Sequence, residues 1–374
     1  MARLAMDPHA DLLLTPERRG RLEAERRGII TTGTLGSSRQ GSTACSTARL
    51  SSTLLAYRRQ VPDGGDNGLF DSDYTLCDVL EVEVRQRLAI ASIVLIVTLL
   101  LAGNALVQGS PDWTEPFPPF RIAGNLYYVG TKGLANYLIT TPQGNILINS
   151  DLESNVPMIR ASIEKLGFKF KDTKVLLISH AHWDHDAGSA KIKAMTGASY
   201  MVMDGDVPVV ESGGKTDFQY GSNRDFLYPP TKVDRVLHDG DEVRLGGAVL
   251  VAHLTPGHTR GCTTWTMRVA EGGKTYDVVI VGSPNVNPGY KLVYNKNYPQ
   301  IAADYERMWS VLKSLPCDIF LGAHGGYFGL EEKYALLRDG AANPFIDPSG
   351  YMKFVTQKEQ AFRTEFEKQK LASE

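Results

Sequence analysis

Cysteine is scarce in this 374-residue chain, which contains four cysteines in total. Cys45 and Cys77 precede an apolar segment near residue 90, and Cys262 and Cys317 follow it. Two cysteines cannot build a disulfide framework of the kind that holds small secreted domains together. The sequence leaves open whether Cys262 and Cys317 pair, and it favours two buried free thiols over a bridge.

The chain also lacks an excess of charge of either sign. Its formal net charge is -2, charged residues make up 22%, and no block of basic residues stands out in the second half. Proteins that bind nucleic acid usually carry such a block, so we expect no nucleic-acid partner. A Ser-x-x-Lys motif in a suitable context is absent too, which argues against a catalytic serine activated by a lysine.

Residues 1–83 differ from the rest of the chain. They begin with arginine-rich pieces and continue in sequence rich in serine, threonine and glycine at 31–53. Neither helical nor strand periodicity persists there, and such a composition does not bury a core. We predict that residues 1–83 are a disordered or non-native N-terminal extension.

Residues 84–105 have the three parts of a secretory signal peptide. Two arginines precede a run of about 14 apolar residues, and small residues at 102–105 end the segment. Both this interpretation and a signal anchor place residues 106–374 outside the cytoplasm. We therefore expect a periplasmic protein, which is membrane-anchored only if the apolar segment is not cleaved.

The position of this segment, far inside the chain, has two explanations. In the first, translation begins at Val82 or Val84, and the residues before that point are an artefact of the assigned start. In the second, residues 88–107 are a signal anchor, since 20 largely apolar residues can just span a bilayer. The first is favoured because residues 1–80 do not resemble a cytoplasmic domain.

Residues 106–374 alternate between strand-like and helix-like patterns. With 43% hydrophobic residues and 36 glycines, the composition suits a compact α/β protein with many turns. Strands are predicted at 120–123, 126–129, 133–140, 145–148, 174–178, 200–203, 242–245, 248–254, 263–269, 276–281 and 319–321. Helices are predicted at 156–166, 189–195, 206–211, 299–315 and 351–371. This order predicts two sheets with helices on both outer faces.

Residues 179–188 carry the densest group of metal-binding side chains in the chain. The segment reads Ser-His-Ala-His-Trp-Asp-His-Asp-Ala-Gly and follows an apolar run at 175–178 that is typical of a buried strand. His180 and His182 lie two apart, so in an extended segment their side chains point the same way. Asp184 and His185 follow on the turn and can face a second metal. Imidazoles and carboxylates are good ligands for a divalent metal such as zinc, and their density disfavours a merely solvated polar loop.

Two further histidines follow apolar strands and glycine-containing turns. His258 comes after Thr-Pro-Gly behind the apolar residues 249–251, and His324 comes after Gly-Ala behind another apolar strand. His238 is predicted to be a turn residue. His253, one step inside a strand, is predicted to be structural or to support the metal ligands from behind.

The pattern His-x-His-x-Asp-His, followed by His258 and His324, resembles the metallo-β-lactamase superfamily and, within it, the subclass B3 metallo-β-lactamases. The resemblance covers about residues 113–350. It implies an α/β fold, the αββα sandwich, in which two mixed sheets carry helices on both outer faces and the site lies at one edge of the sheets. It also implies two zinc ions per chain. The first zinc would be bound by His180, His182 and His258, and the second by Asp184, His185 and His324.

The residue type at position 283 distinguishes the subclass B3 pattern from that of other members of the superfamily. Many members of the superfamily have an aspartate that bridges both metals at the end of the strand between the last two histidines, and subclass B1 enzymes have a cysteine there. Here the apolar residues 278–281 are followed by Gly282 and Ser283. The resemblance implies that Ser283 contacts the carboxylate of the substrate, with Asn285 a weaker candidate for the same role.

The implied activity is hydrolysis of the β-lactam ring of antibiotics by a hydroxide held between two zinc ions, which would confer resistance. Asp184 is the implied catalytic residue, because it can bind metal through one carboxylate oxygen and orient the hydroxide through the other. The implied partner is a β-lactam, and we expect a monomer with no stable membrane association after signal cleavage.

Two other functions compete with this one. The first alternative is another exported metallohydrolase of the same superfamily, such as a lactonase or a thioester hydrolase. A non-catalytic binding protein with a structural metal is disfavoured, because the six implied ligands leave coordination positions open on each zinc.

Overall fold

The computed structural model describes residues 110–340 and 342–373. The predicted N-terminal extension and the segment at 84–105 lie outside the described residues. Within those two ranges, no helix combines the length and the apolar character needed to cross a membrane.

The first sheet has seven strands in the order β1-β2-β3-β4-β5-β6-β7. The first four are antiparallel neighbours, and pairing becomes parallel from β4 onward. The strands are β1 Phe120–Ala123, β2 Leu126–Tyr128, β3 Tyr137–Thr141, β4 Gly144–Ile148, β5 Thr173–Leu177, β6 Ser199–Met203 and β7 Arg235–Leu237.

The second sheet has five strands in the order β12-β11-β10-β9-β8. The pairs are antiparallel except for β11 and β12, which are parallel. It follows that β9, β11 and β12 run in the same direction and end at the same edge of the sheet. The strands are β8 Glu242–Leu245, β9 Ala248–Leu254, β10 Thr263–Glu271, β11 Lys274–Val281 and β12 Ile319–Gly322.

Seven α-helices connect and cover these strands in the described ranges. They are α1 Val156–Lys165, α2 Trp183–Asp186, α3 Ser189–Thr196, α4 Val207–Glu211, α5 Ile301–Ser314, α6 Leu330–Arg338 and α7 Pro348–Leu371. The long α5 and α7 contact each other, and α7 also contacts β12.

The apolar side chains divide into two cores because neighbouring strand residues point to opposite faces of a sheet. In β4, Ile146 and Ile148 join the larger core, whereas Leu147 between them joins the smaller one. The smaller core packs the outer face of the first sheet against α1 and α3. The larger core holds side chains from both sheets and from α5 and α7, including Trp265 and Trp309. The αββα sandwich with two mixed sheets is thereby confirmed.

Several regions differ from the sequence-based prediction. The strand expected at 133–140 begins only at Tyr137, because residues 131–134 form a turn in which Thr131 Oγ1 accepts a hydrogen bond from the backbone N–H of Leu134 (2.8 Å). The edge strand β7 and helix α6 were not expected. Two of the three β7 residues are exposed, so no apolar pattern marks that strand.

Candidate active site

The first group of site residues forms where β5 leaves the first sheet. His180 and His182 lie on the connection after β5, and His258 follows β9 of the second sheet. One ring nitrogen from each of the three lies within 4.8 Å of the others, and all three side chains are buried. The ring centroids are 4.6 to 4.8 Å apart. Three buried imidazoles at this spacing can surround one metal ion.

A second group shares the same pocket. The Nε2 atom of His185 lies 3.1 Å from His324 Nε2 and 3.2 Å from Asp184 Oδ2. The third side of this triangle, from His324 Nε2 to Asp184 Oδ2, measures 3.7 Å. A cation at the centre would lie roughly 2 Å from each atom, which is the usual ligand distance of zinc.

The charge states of these side chains suit a divalent cation. Burial, followed by the neighbouring histidines, lowers the pKa of His180 and of His258 well below the ordinary value. Burial also lowers the pKa of His324 to about 3. Burial alone would raise the pKa of Asp184, but His185 and His324 outweigh it and hold that pKa below its usual range. His180, His258 and His324 are therefore neutral imidazoles, and Asp184 is an ionised carboxylate. Burial opposes a charge on His182 as well, but the hydrogen bond and the negative charge of Asp217 outweigh it and raise the pKa of that imidazole.

A tight turn and two hydrogen bonds orient His258. Its Nδ1–H donates to the backbone carbonyl of Asn285 (2.8 Å), which leaves Nε2 as the lone-pair atom that can face a metal. The hydroxyl of Tyr290 donates to the backbone oxygen of His258 (2.9 Å). The preceding Gly257 has φ +126°, and a Cβ there would lie 2.8 Å from the ring of Tyr305. Only glycine allows the turn to pack this closely.

Two carboxylates behind the histidines were not predicted as site residues. Asp206 links the connection after β5 to the turn after β9, because its carboxylate accepts hydrogen bonds from both segments. Asp217 places Oδ2 3.6 Å from His182 Nε2, and both side chains are almost fully buried. Neither aspartate lies in a metal-ligand pattern, so only the folded chain identifies them.

Ser283 and Asn285 lie after β11, at the edge where β9 and β12 also end. Ser283 Oγ is 3.2 Å from the hydroxyl of Tyr327, and Asn285 Nδ2 donates to the same hydroxyl (2.8 Å). The Tyr327 ring lies 5.0 Å from the His324 ring between centroids. Tyr327 therefore joins the two residues to the histidine groups. It was not identified from the sequence, since a single tyrosine after Gly-Gly carries no recognisable signal.

Within residues 110–340 and 342–373, the remaining histidines and cysteines lie outside the two groups. His238 is exposed near Asp241, and His253 Nε2 is 2.8 Å from Thr266 Oγ1. Cys262 is a buried free thiol, and Cys317 is also free but only partly buried. The preference for free thiols over a disulfide is thus confirmed.

A family model described as the metallo-beta-lactamase superfamily matches residues 135–270. This segment includes His180 to His258 and ends before His324. A probable metallo-hydrolase of Burkholderia pseudomallei (strain 1710b) is 30% identical over 95 residues, which are 25% of this chain and 31% of that protein. The chain therefore spans about a third of the length of this curated relative.

Solved structures match over far more of the chain. The native FEZ-1 metallo-β-lactamase from Legionella gormanii is 63% identical, covers 69% of this chain and 98% of its own, and superposes with a TM-score of 0.68. The class B3 di-zinc metallo-β-lactamase LRA-12 from an Alaskan soil metagenome is 37% identical over 69% of this chain and 97% of its own (TM-score 0.66). With the two histidine groups at one edge of an αββα sandwich, this similarity shows that the chain belongs to the metallo-β-lactamase superfamily and, within it, to the subclass B3 metallo-β-lactamases.

Proposed function

We propose that the protein hydrolyses the β-lactam ring of antibiotics with two zinc ions bound in its active site. This proposal rests on the two adjacent groups of three metal-binding side chains. In the group that contains Asp184, the ligand atoms lie 3.1 to 3.7 Å apart. The first zinc would be held by His180, His182 and His258, and the second by Asp184, His185 and His324. The donor set fits zinc, because it consists of five imidazoles and one ionised carboxylate.

When bound, the two zinc ions would lower the pKa of a water molecule toward ~7 and polarise the carbonyl of the β-lactam. The ionised carboxylate of Asp184 would accept a hydrogen bond from the attacking water and so direct its oxygen at the carbonyl carbon. One water is consumed: the carbonyl carbon gains its oxygen, the C–N bond breaks, and the ring nitrogen takes up a proton.

Ser283 and Asn285 support the choice of a β-lactam over other substrates of the superfamily. We propose that these side chains bind the carboxylate that bicyclic β-lactams carry beside the ring nitrogen. Asn285 is the more accessible of the two, because Ser283 is only 2% exposed. A serine at 283, where many relatives have a bridging aspartate, leaves this position free to bind the substrate.

The experiment is hydrolysis of a chromogenic cephalosporin by the zinc-loaded full chain, with and without a chelator. We expect turnover that the chelator abolishes and zinc restores. His258→Ala should reduce kcat/KM by more than the roughly 10- to 100-fold typical of residues behind metal ligands. His238→Ala, which removes an exposed histidine, is the matched control and should retain full activity. Faster turnover of a lactone or a thioester than of any β-lactam would refute the proposal.

We also propose that the enzyme works in the periplasm as a monomer. The signal-like composition of residues 84–105 supports export. N-terminal sequencing of the protein from the periplasmic fraction should find a start near residue 106. Light scattering on that protein should give the mass of one chain.

A further inference from the structure

Lys358, on the C-terminal helix α7, reaches the edge of the active site. Its Nζ donates to Asn285 Oδ1 (2.6 Å) across 73 residues of sequence. The same Nζ lies 5.5 Å from the ring centroids of Tyr327 and Phe354. The ammonium group is thereby held between two aromatic faces and one amide oxygen.

No carboxylate in the described ranges neutralises this ammonium group at ion-pair distance. The nearby acids of α7 have other partners. Glu359 pairs with Lys313 and Arg363, and Glu365 pairs with Lys368. Burial lowers the pKa of Lys358 because desolvation disfavours the charged form. An anionic ligand that binds nearby would therefore stabilise this half-buried cation, which has no counter-ion.

Lys358 also determines which way the Asn285 amide faces. An ammonium group can only donate hydrogen bonds, so the atom that it contacts must be the amide oxygen. The amide nitrogen then faces Tyr327 and donates to its hydroxyl (2.8 Å). One of its two N–H bonds is used in this contact, and the second has no acceptor among the described residues.

The hydrogen bonds continue in one direction from Lys358 toward the site. Because the Tyr327 hydroxyl accepts from Asn285, its own hydrogen can point to Ser283 Oγ, which is 3.2 Å away. The hydroxyl hydrogen of Ser283 is then available to donate to a bound ligand. Such a series of bonds polarises each member, so the positive charge of Lys358 strengthens the donors at the far end.

The backbone of Asn285 connects this series to the proposed metal ligands. Its carbonyl accepts hydrogen bonds from His258 Nδ1 (2.8 Å) and from the hydroxyl of Tyr305 (2.6 Å). The amide donors are thus held at a fixed position relative to His258.

We propose that Lys358 is the positioning residue for recognition of the substrate carboxylate, by fixing the Asn285 amide and supplying the positive charge behind it. This inference rests on the proposed β-lactam hydrolysis. It assigns the direct contact with the carboxylate mainly to Asn285, and the support of that contact to Ser283 and Tyr327. Lys358 borders a cavity of about 560 Å³ between residues 284–290 and α7, so an arginine has room at this position.

The test compares a β-lactam with its carboxylate methyl ester as substrates of the zinc-loaded full chain. Lys358→Met should raise KM for the free acid roughly 10-fold, the size expected for one lost charge-assisted contact, while kcat changes little. KM for the ester should stay unchanged, and Lys358→Arg should restore most of the affinity for the acid. Lys353→Met, which removes an exposed lysine of the same helix, is the matched control and should behave as wild type.

The outcomes separate this inference from the function on which it rests. A wild-type protein that hydrolysed neither substrate would overturn both the proposed function and the role of Lys358. If the wild type hydrolysed both substrates, an equal rise of the two KM values in Lys358→Met would overturn the role of Lys358 alone. An unchanged KM for the acid would do the same. Zinc content and melting temperature, measured for each variant, should match the wild type.

Discussion

Asp206 Oδ2 accepts a hydrogen bond from the backbone N–H of Ala181, the residue between His180 and His182 (2.9 Å). The same oxygen accepts from Thr259 Oγ1 (2.8 Å), and Oδ1 accepts from the backbone N–H of Gly261 (2.8 Å). One buried carboxylate therefore connects the segment that carries two proposed ligands to the turn that carries the third.

Replacing Asp206 by alanine should weaken both the fold and the metal site. The substitution leaves the buried N–H groups of Ala181 and Gly261 without acceptors, so we expect the free energy of unfolding to fall by about 3 kcal/mol. Zinc affinity should fall roughly 10-fold or more, because the two ligand segments lose their common support. Urea unfolding and zinc competition with a chelating dye measure these effects. Asp204→Ala, in the same turn but exposed, should change both little, and equal effects of the two variants would contradict this prediction.

Gly257→Ala should displace His258. Gly257 has φ +126°, and an added Cβ would meet the Tyr305 ring at 2.8 to 3.0 Å. A shift of about 1 Å in a catalytic geometry can cost about 100-fold in rate, so we expect a loss of kcat/KM of that order. Gly326→Ala, close to His324, is the control, since nothing lies within 4 Å of the added atom and its φ is not positive. Full activity of Gly257→Ala would show that this turn tolerates a side chain.

Asp217→Asn should weaken zinc binding without unfolding the protein. Asp217 Oδ1 accepts from the backbone N–H groups of Gln219 (2.8 Å) and Tyr220 (2.6 Å), contacts that asparagine can keep through its own oxygen. The negative charge beside His182 is lost, and such partners of metal-binding histidines typically contribute 10- to 100-fold in affinity. We expect a roughly 10-fold weaker zinc affinity at an unchanged melting temperature of the metal-free protein. Asp225→Asn, exposed in the same loop, should not alter zinc affinity.

The two thiols should be nearly inert in the folded protein. Burial raises the pKa of Cys262 and of Cys317 to about 12, so the reactive thiolate is scarce near pH 8. Unfolding returns both pKa values to about 8.5, and stability should therefore decline as the pH rises from about 8.5 toward 12. Alkylation followed by peptide mass spectrometry should show slow labelling of both sites in buffer and fast labelling in urea. Rapid native labelling of Cys262 would contradict the burial argument.

The sequence marks the proposed ligands as candidates because each one comes shortly after an apolar strand. His180 to His185 come after β5, and His258 and His324 come after β9 and β12; their division between two zinc ions comes from the family resemblance and stays a prediction. The candidate ligands after β9 and β12 lie near each other because these two strands end at the same edge of the second sheet. The fold class follows from the same alternation of strands and helices.

Other parts of the site depend on contacts that no local pattern encodes. Asp206 meets Gly261 across 55 residues, and Lys358 meets Asn285 across 73. An aspartate in a turn and a lysine on a charged helix resemble many solvated residues of the same type. Helix α6 was missed for a related reason, because Leu330 is its only fully buried residue and no apolar face marks it.

The six proposed ligands come from three strand ends that belong to both sheets. A chain in which either sheet is incomplete offers at most part of a coordination sphere, and zinc binds such partial sets weakly. Metal capture must therefore come late in maturation, after the two halves of the sandwich have closed on each other. Only molecules that have finished folding can then hold zinc with the full set of ligands.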